Sequence, residues 1–126
     1  MDHDVIIIGS GLAGLCTALR LSDEKKVAIL TKRQLASGAT PLAQGGIAAA
    51  TGPDDDVTLH AADTIRAGAG LCHEDVVEIV TREGPLRVAE LIGLGVNFSK
   101  ARDGRFDLGM EGGHSRRRIL HADDLT

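Results

Sequence analysis

The chain contains no tryptophan and no tyrosine, and only 2 phenylalanines among its 126 residues. A nucleic-acid surface built on stacked aromatic rings is excluded by that poverty. Basic residues are outnumbered: 14 Lys and Arg stand against 18 Asp and Glu, a formal net charge of −4. That balance argues against a broad polyanion-binding face, so no nucleic-acid partner is expected. Only 2 cysteines occur, Cys16 and Cys72, far apart and outside any CxxC. They supply neither a zinc site nor a disulfide scaffold, and they fit a reducing compartment. No apolar run approaches the roughly 20 residues needed to span a bilayer, so no membrane partner is expected. The start, Met1-Asp2-His3-Asp4, is acidic where a signal peptide is basic. A cytoplasmic location is the resulting expectation.

What the chain does have is ordinary for a soluble globular domain, 43% hydrophobic and 25% charged residues. Such a composition argues against intrinsic disorder. The length suffices for one small domain with a modest core, and no domain boundary is visible. Glycine is plentiful, with 16 residues, and it clusters.

Val5-Ile6-Ile7-Ile8 is a short, wholly apolar, β-branched run that reads as a buried parallel strand, apolar on both faces. Gly9-Ser10-Gly11-Leu12-Ala13-Gly14 follows at once, and Leu15 to Leu21 carries an amphipathic helical pattern. After the polar turn 22–26, Val27-Ala28-Ile29-Leu30 reads as a second buried strand. Strand, helix and strand within this span make a βαβ unit, and the fold class is α/β. Residues 33–56 keep no period of 2 or 3.6. Val57 to Ala67 reads as a helix ended by Gly68 and Gly70. A further helix starts near Glu74-Asp75 and stops at Gly84. Pro85, well suited to a first helical position, opens another that runs to Gly93 or Gly95. Val96-Asn97-Phe98 reads as a short strand, and the chain from Ser99 onward is polar.

Gly9, Gly11 and Gly14 satisfy G-x-G-x-x-G in the context that gives the string meaning, directly after an apolar strand and opening a helix. Gly9 permits the tight turn, Gly11 lets backbone N–H groups approach a diphosphate, and Gly14 lets the helix pack close on the strand. The helix N-terminus adds partial positive charge. This is a Rossmann-like dinucleotide unit. The second strand, however, ends Leu30-Thr31-Lys32-Arg33, without the carboxylate that usually binds a ribose hydroxyl. Lys32 and Arg33 fit an NADP 2′-phosphate, Lys32 fits an adenosine ribose or phosphate of FAD, and both fit a solvated loop. Spacing alone leaves the three open.

The next cluster is Gly38-Ala39-Thr40-Pro41-Leu42-Ala43-Gln44-Gly45-Gly46-Ile47-Ala48-Ala49. Gly45 and Gly46 can bring backbone close to a flat ligand, and Gln44 offers amide donor and acceptor to the edge of a ring. Together with the first glycine loop and Thr31-Lys32, the stretch 43–49 resembles the fumarate reductase/succinate dehydrogenase flavoprotein family. Two more stretches, Ala67-Gly68-Ala69-Gly70-Leu71-Cys72 and Glu111-Gly112-Gly113-His114-Ser115-Arg116-Arg117-Arg118-Ile119-Leu120-His121-Ala122, are similar to the L-aspartate oxidase branch of that family.

The resemblance implies FAD, not NADP. Ser10, Gly11, Leu12, Ala13 and Lys32 would contact it, beside Gly9 and Gly14. Ala39, Thr40, Pro41, Leu42, Ala43, Gln44, Gly45 and Gly46 would run along the flavin. In the succinate dehydrogenase branch a histidine stands where this chain has Ala39 and bonds covalently to FAD. The resemblance therefore implies a non-covalent flavin. Pro41-Leu42 departs from the aromatic that oxidases often carry before Ala-Gln-Gly-Gly, which bears on flavin packing. Glu111 matches a glutamate that distinguishes aspartate oxidases. A carboxylate there would orient the α-ammonium group by which aspartate differs from succinate.

The implied reaction is oxidation of L-aspartate to iminoaspartate in de novo NAD biosynthesis. O₂ or fumarate would serve as acceptor, and quinolinate synthase would use the product. Family members are several times longer. Residues 1–126 would then be a partial FAD-binding domain, a βαβ unit followed by helices. The rest of that domain, the capping domain and the C-terminal helical domain would lie outside it. Such a portion is expected to be inactive alone.

Other polar residues read more plainly. His114 and His121 lack a third ligand, so no metal site is expected. Arg116, Arg117 and Arg118 read as a solvated or ion-paired run, one of which could reach an anion. His3, His60 and His73 read as surface residues, Asp54-Asp55-Asp56 as a solvated loop, and Cys16 and Cys72 as small buried hydrophobes.

Overall fold

A computed structural model describes residues 2–35, 43 and 45–122. The chain folds as two compact units, residues 1–43 and residues 44–126. No shift in composition marks that division.

The first unit is the βαβ motif. Strand β1 (Val5–Ile8) pairs in parallel with β2 (Val27–Leu30), from Val5 opposite Val27 to Ile8 opposite Leu30, and helix α1 (Leu12–Leu21) connects them. Asp4 ties the lower end: its N–H donates to the Lys26 carbonyl at 2.9 Å and its carboxylate accepts from the Lys26 N–H at 2.8 Å. At the upper end Gly9 N–H donates to the Leu30 carbonyl at 2.9 Å. Helix α1 opens at Leu12, earlier than the apolar spacing from Leu15 indicates. Gly11 takes an extended N-cap conformation there, with φ −74° and ψ 175°. Burial on both faces of the strands is not found within this unit. Ile7 faces α1, whereas Ile6 and Ile8 remain 64% and 84% exposed. Two strands carrying one helix cover one face only.

The second unit holds helices α2 (Val57–Ala67) and α3 (Glu74–Gly93), which pack on each other, and a small antiparallel sheet. Its strands are β3 (Ile47–Ala48) and β4 (Ile119–Leu120), with Ile47 opposite Leu120. Asp56 starts α2 as a side-chain cap, accepting from Thr58 N–H at 2.7 Å and Leu59 N–H at 3.0 Å. Ala49, Val88, Phe98 and Leu120 form the buried core, with Phe106 edge-on to Phe98 at 6.3 Å between ring centroids.

Two expectations are corrected here. The expected pair of helices divided at Gly84-Pro85 is one helix of 20 residues with Pro85 inside it. An interior proline costs about 3 kcal/mol. Val77 and Val88 lie buried on α3 with Thr81 between them, and two such side chains contribute about 1.5–3 kcal/mol each. That burial offsets the break, so packing overrides the local stop signal. Gly84 faces Ala49, where an added Cβ would make an ordinary contact at 3.6 Å from the Ala49 Cβ. The second correction concerns Val96-Asn97-Phe98, which is not a strand. Phe98 is instead buried as a core side chain, and the small sheet forms from 47–48 and 119–120. The part after the βαβ unit is therefore not only helical. Among the described residues no helix is long and apolar enough to cross a membrane.

Candidate functional site

The first glycine turn joins β1 to α1, and its three glycines differ in what requires them. Gly9 has φ +110°, a conformation that L side chains rarely adopt. A Cβ on Gly14 would stand 2.3 Å from the Gly9 carbonyl oxygen, so helix and strand meet only because it is absent. Gly11 is under neither constraint. Its φ is ordinary, and a Cβ on it would meet nothing within 4 Å among the described residues. As the N-cap, Gly11 has no side chain to cap α1, so the first-turn N–H groups of Leu12, Ala13 and Gly14 receive no cap bond from it. Uncapped donors, open space and a helix dipole fit a diphosphate group. Past β2, Lys32 and Arg33 are exposed in a bend closed by the Thr31 hydroxyl, which donates to the Arg33 carbonyl.

Of the second cluster, Ala39, Thr40, Pro41, Leu42 and Gln44 lie outside the described residues. Ala43 is exposed at the end of the first unit. Gly45 and Gly46 enter β3 with φ +112° and +138°. A Cβ on Gly46 would stand 2.2 Å from the Leu120 carbonyl oxygen, so this glycine lets β3 meet β4. A Cβ on Gly45 would stand 2.9 Å from Glu111 Oε1. Glu111 thus lies directly against the glycine pair, two elements that no sequence spacing connects. It is exposed, on a turn closed by His114 N–H donating to its carbonyl at 3.3 Å.

Behind that turn lies a buried ion cluster. Arg118 is fully buried and donates through Nε and a terminal nitrogen to the two oxygens of Asp55, both at 2.8 Å. Its other terminal nitrogen donates to Asp63 Oδ2 at 2.8 Å and to His114 Nδ1 at 3.2 Å. Asp63 Oδ2 also accepts from the Ser115 N–H and hydroxyl, both at 2.7 Å, while Arg66 holds Asp63 Oδ1. The Ser115 backbone N–H, with its hydroxyl and Arg118, holds the Asp63 carboxyl far below the usual carboxylate range against the penalty of burial. Arg118 is driven down by burial, but the hydrogen bonds and charges of Asp55 and Asp63 outweigh this and raise it.

This cluster corrects two expectations. His60 is not a surface residue. It is 7% exposed, its ring centroid 5.7 Å from that of His114, and burial lowers its pKa, helped by the nearby Arg118 charge. Nor is the 54–56 run uniformly solvated, since the Asp55 side chain is fully buried against Arg118 and only Asp54 and Asp56 remain exposed. Asp63 lies in no motif, and Ser115 lies in the 111–122 stretch with no role that its sequence position assigns. The one hint in the sequence is an aspartate inside an alanine-rich helix with three arginines far downstream. His3 and His73 are exposed as expected, and Arg116 and Arg117 are exposed beside the buried Arg118. Cys16 and Cys72 are free thiols, half-buried. Among the described residues no group of three His, Cys, Asp or Glu could hold a metal ion.

Comparison with known proteins adds to this geometry. The profile of a family described as an FAD binding domain matches residues 4–125. A chloroplastic L-aspartate oxidase of Oryza sativa is 50% identical over 98% of this chain, which corresponds to 19% of the relative. L-aspartate oxidase 1 of Ralstonia nicotianae is 47% identical over 100% of the chain and 24% of its own length. Among solved structures, Mycobacterium smegmatis Sdh1 superposes with a TM-score of 0.90 at 34% identity, over 98% of this chain and 22% of that one. E. coli quinol fumarate reductase FrdA gives 0.88 at 29%, over 99% and 22%. The chain therefore spans about a fifth of the length of these relatives.

Proposed function

The chain belongs to the FAD-binding domain family, and from that premise we propose that it forms the N-terminal part of an FAD-dependent oxidase of L-aspartate. Its α/β fold would be Rossmann-like in the strict sense, with the cofactor diphosphate at the N-terminus of α1. The observation that carries the cofactor half of this reading is Gly11, a glycine that no neighbour among the described residues requires and that opens the approach to helix donors its own position leaves uncapped. Lys32 supplies a cation for the adenosine side. By the family resemblance residues 39–46 would run along the flavin, and Ala39, which offers no nucleophile, implies that the flavin would be non-covalent.

Bound FAD would supply the redox chemistry, oxidation of the substrate at Cα with O₂ or fumarate as the final acceptor. What this chain contributes is alignment and choice. Glu111 presents a carboxylate to the α-ammonium of L-aspartate. A site built around that charge pair rejects a dicarboxylate lacking the amine, because the carboxylate is then left without its partner. Iminoaspartate formed in this way would pass to quinolinate synthase, in a cytoplasmic setting. The remaining flavin-domain strands, a capping domain and a helical C-terminal domain would complete the site, consistent with the length of the relatives.

The succinate dehydrogenase or fumarate reductase reading draws on the solved structures, at 29–34% identity. The aspartate oxidases stand higher, at 46–50%, and Ala39 and Glu111 both favour them. The experiment is a substrate comparison in the complete enzyme, following peroxide release with L-aspartate and with succinate. Turnover of aspartate alone is the expected result, and turnover of succinate overturns the proposal.

A further inference from the structure

Glu111 sits on a loop whose two ends are tied together. Gly109 N–H donates to the Ile119 carbonyl at 2.9 Å, and the Arg118 and Ile119 N–H groups donate to the Gly109 carbonyl at 3.1 and 3.2 Å. These bonds fix the base of the loop and leave the tip to be held by side chains. Gly113, at φ +88°, contributes none. The side chains that do hold it are His114, Ser115 and Arg118, and all three converge on one buried cluster.

We propose that Arg118 is a positioning residue for Glu111, fastening the 111–118 turn to Asp55 and Asp63 so that the Glu111 carboxylate is presented at a fixed place beside Gly45. The inference rests on the reading of Glu111 as the substrate-discriminating carboxylate. Burying a guanidinium is costly unless every donor finds a partner, and here the fork on Asp55 is complete. The adjacent Arg116 and Arg117 stay at the surface, Arg116 donating to the Asp54 and Ser115 carbonyls and Arg117 to the Leu108 carbonyl, and carry no such cost. The path from Arg118 to Glu111 is short. Arg118 donates to His114 Nδ1, which requires the tautomer protonated on Nε2, because a guanidinium cannot accept. The N–H of the same histidine closes the turn on the Glu111 carbonyl. Next to it, Ser115 clamps the Asp63 oxygen that Arg118 also holds. On its far side Glu111 Oε1 already abuts Gly45, so a slack turn displaces the carboxylate away from the glycine pair. Arg118 is matched by two aspartates, so its effect on Glu111 is one of geometry and not of net charge.

The test is made in the complete enzyme with Glu111→Gln, Arg118→Lys, Ser115→Ala and the double variant Glu111→Gln/Arg118→Lys. Lysine keeps the charge and cannot form the fork. Arg118→Lys is expected to raise the KM for L-aspartate about tenfold with kcat little changed, the scale of coupling within one hydrogen-bond network. The double variant should be no worse in KM than Glu111→Gln alone, since the two act through one carboxylate. Multiplied effects, or a loss confined to kcat, overturn the inference. Should Arg118→Lys fail to fold, Ser115→Ala decides on the same criterion, with a smaller rise in KM that vanishes in the Glu111→Gln background. A second readout needs no turnover: in the chain itself, amide exchange at Gly112 and Gly113 should quicken in Arg118→Lys while Val5–Ile8 is unchanged. If Glu111→Gln alone leaves the preference for aspartate over succinate intact, the reading of Glu111 fails and takes this inference with it. Retained discrimination in the parent together with multiplied effects sinks only the role of Arg118.

Discussion

Arg118 meets Asp55 as a two-pronged pair, both contacts at 2.8 Å and both side chains fully buried. Removing the guanidinium by Arg118→Met would leave Asp55 and Asp63 as buried carboxylates without their cation. Breaking a buried pair from one side costs about 3–5 kcal/mol, a large fraction of a small domain's stability. The exposed Arg87, which bridges Glu83 and Glu90 along α3, is the internal control. Arg87→Met should cost less than about 1 kcal/mol. With no tryptophan in the chain, urea unfolding is followed by far-ultraviolet circular dichroism of α2 and α3. Equal losses in the two variants would mean that water reaches Arg118.

Stability should fall in two steps as pH is lowered. Burial lowers the His60 pKa, so the folded state disfavours the proton that the unfolded chain accepts near pH 6.5. The stability of the neutral ring is full above that pH and is lost as pH falls toward the depressed value. Asp63, held far down by Ser115 and Arg118, behaves as a carboxylate of depressed pKa. Its contribution is full above about pH 4 and drains away in more acidic solution. His60→Gln should flatten the urea midpoint between pH 7 and pH 5 without touching the acidic step, and Asp63→Asn should shrink the acidic step, to which Asp56 and Asp103, also held low, contribute the rest. A His60→Gln profile identical to the parent's would place the upper step elsewhere.

The sequence yields most where a local rule has no competitor. The βαβ unit was legible because β-branched strands, a glycine turn and a polar turn agree within one short stretch, whereas Asp56, read only as part of a solvated run, proves to cap α2. Pro85 misled because the penalty for an interior proline is local, while the burial of Val77 and Val88 that outweighs it depends on partners far along the chain. His60 and Asp55 misled for a related reason. A buried polar residue is recognisable only by what it meets in the fold: Asp55 meets Arg118 and His60 meets the His114 ring, both distant in sequence, and Arg118 looks like any surface arginine in a run of three. The nearness of Glu111 to Gly45 was likewise invisible to spacing, since it is created by the pairing of β3 with β4.

Pro85 offers a direct check on that account. If packing sustains α3 across a missing N–H donor, Pro85→Ala restores the donor and adds a better helix former without disturbing Val77 or Val88. The gain should be about 1–3 kcal/mol, seen as a higher urea midpoint with an unchanged slope. No gain would indicate that Pro85 makes packing contacts worth as much as the bond it forfeits.

Gly11 and Gly14 separate binding from folding. At Gly14 an added methyl collides with the Gly9 carbonyl oxygen at 2.3 Å, and neither α1 nor β1 can yield without parting. Gly14→Ala should therefore destabilise the first unit by about 1–3 kcal/mol, the usual cost of overpacking, and weaken FAD binding as a consequence. At Gly11 the same methyl meets no atom within 4 Å among the described residues, and the backbone already has an ordinary φ. Gly11→Ala should then leave stability within about 1 kcal/mol, the balance of a poorer cap against a less flexible unfolded chain. It should nevertheless weaken FAD binding at least about tenfold, because the methyl occupies the approach to the α1 N–H groups. Calorimetric titration with FAD beside circular-dichroism melts measures both quantities on the same samples. Undiminished affinity in Gly11→Ala would put the diphosphate somewhere other than this turn, whereas parallel losses of affinity and stability would make Gly11 a folding residue like Gly14.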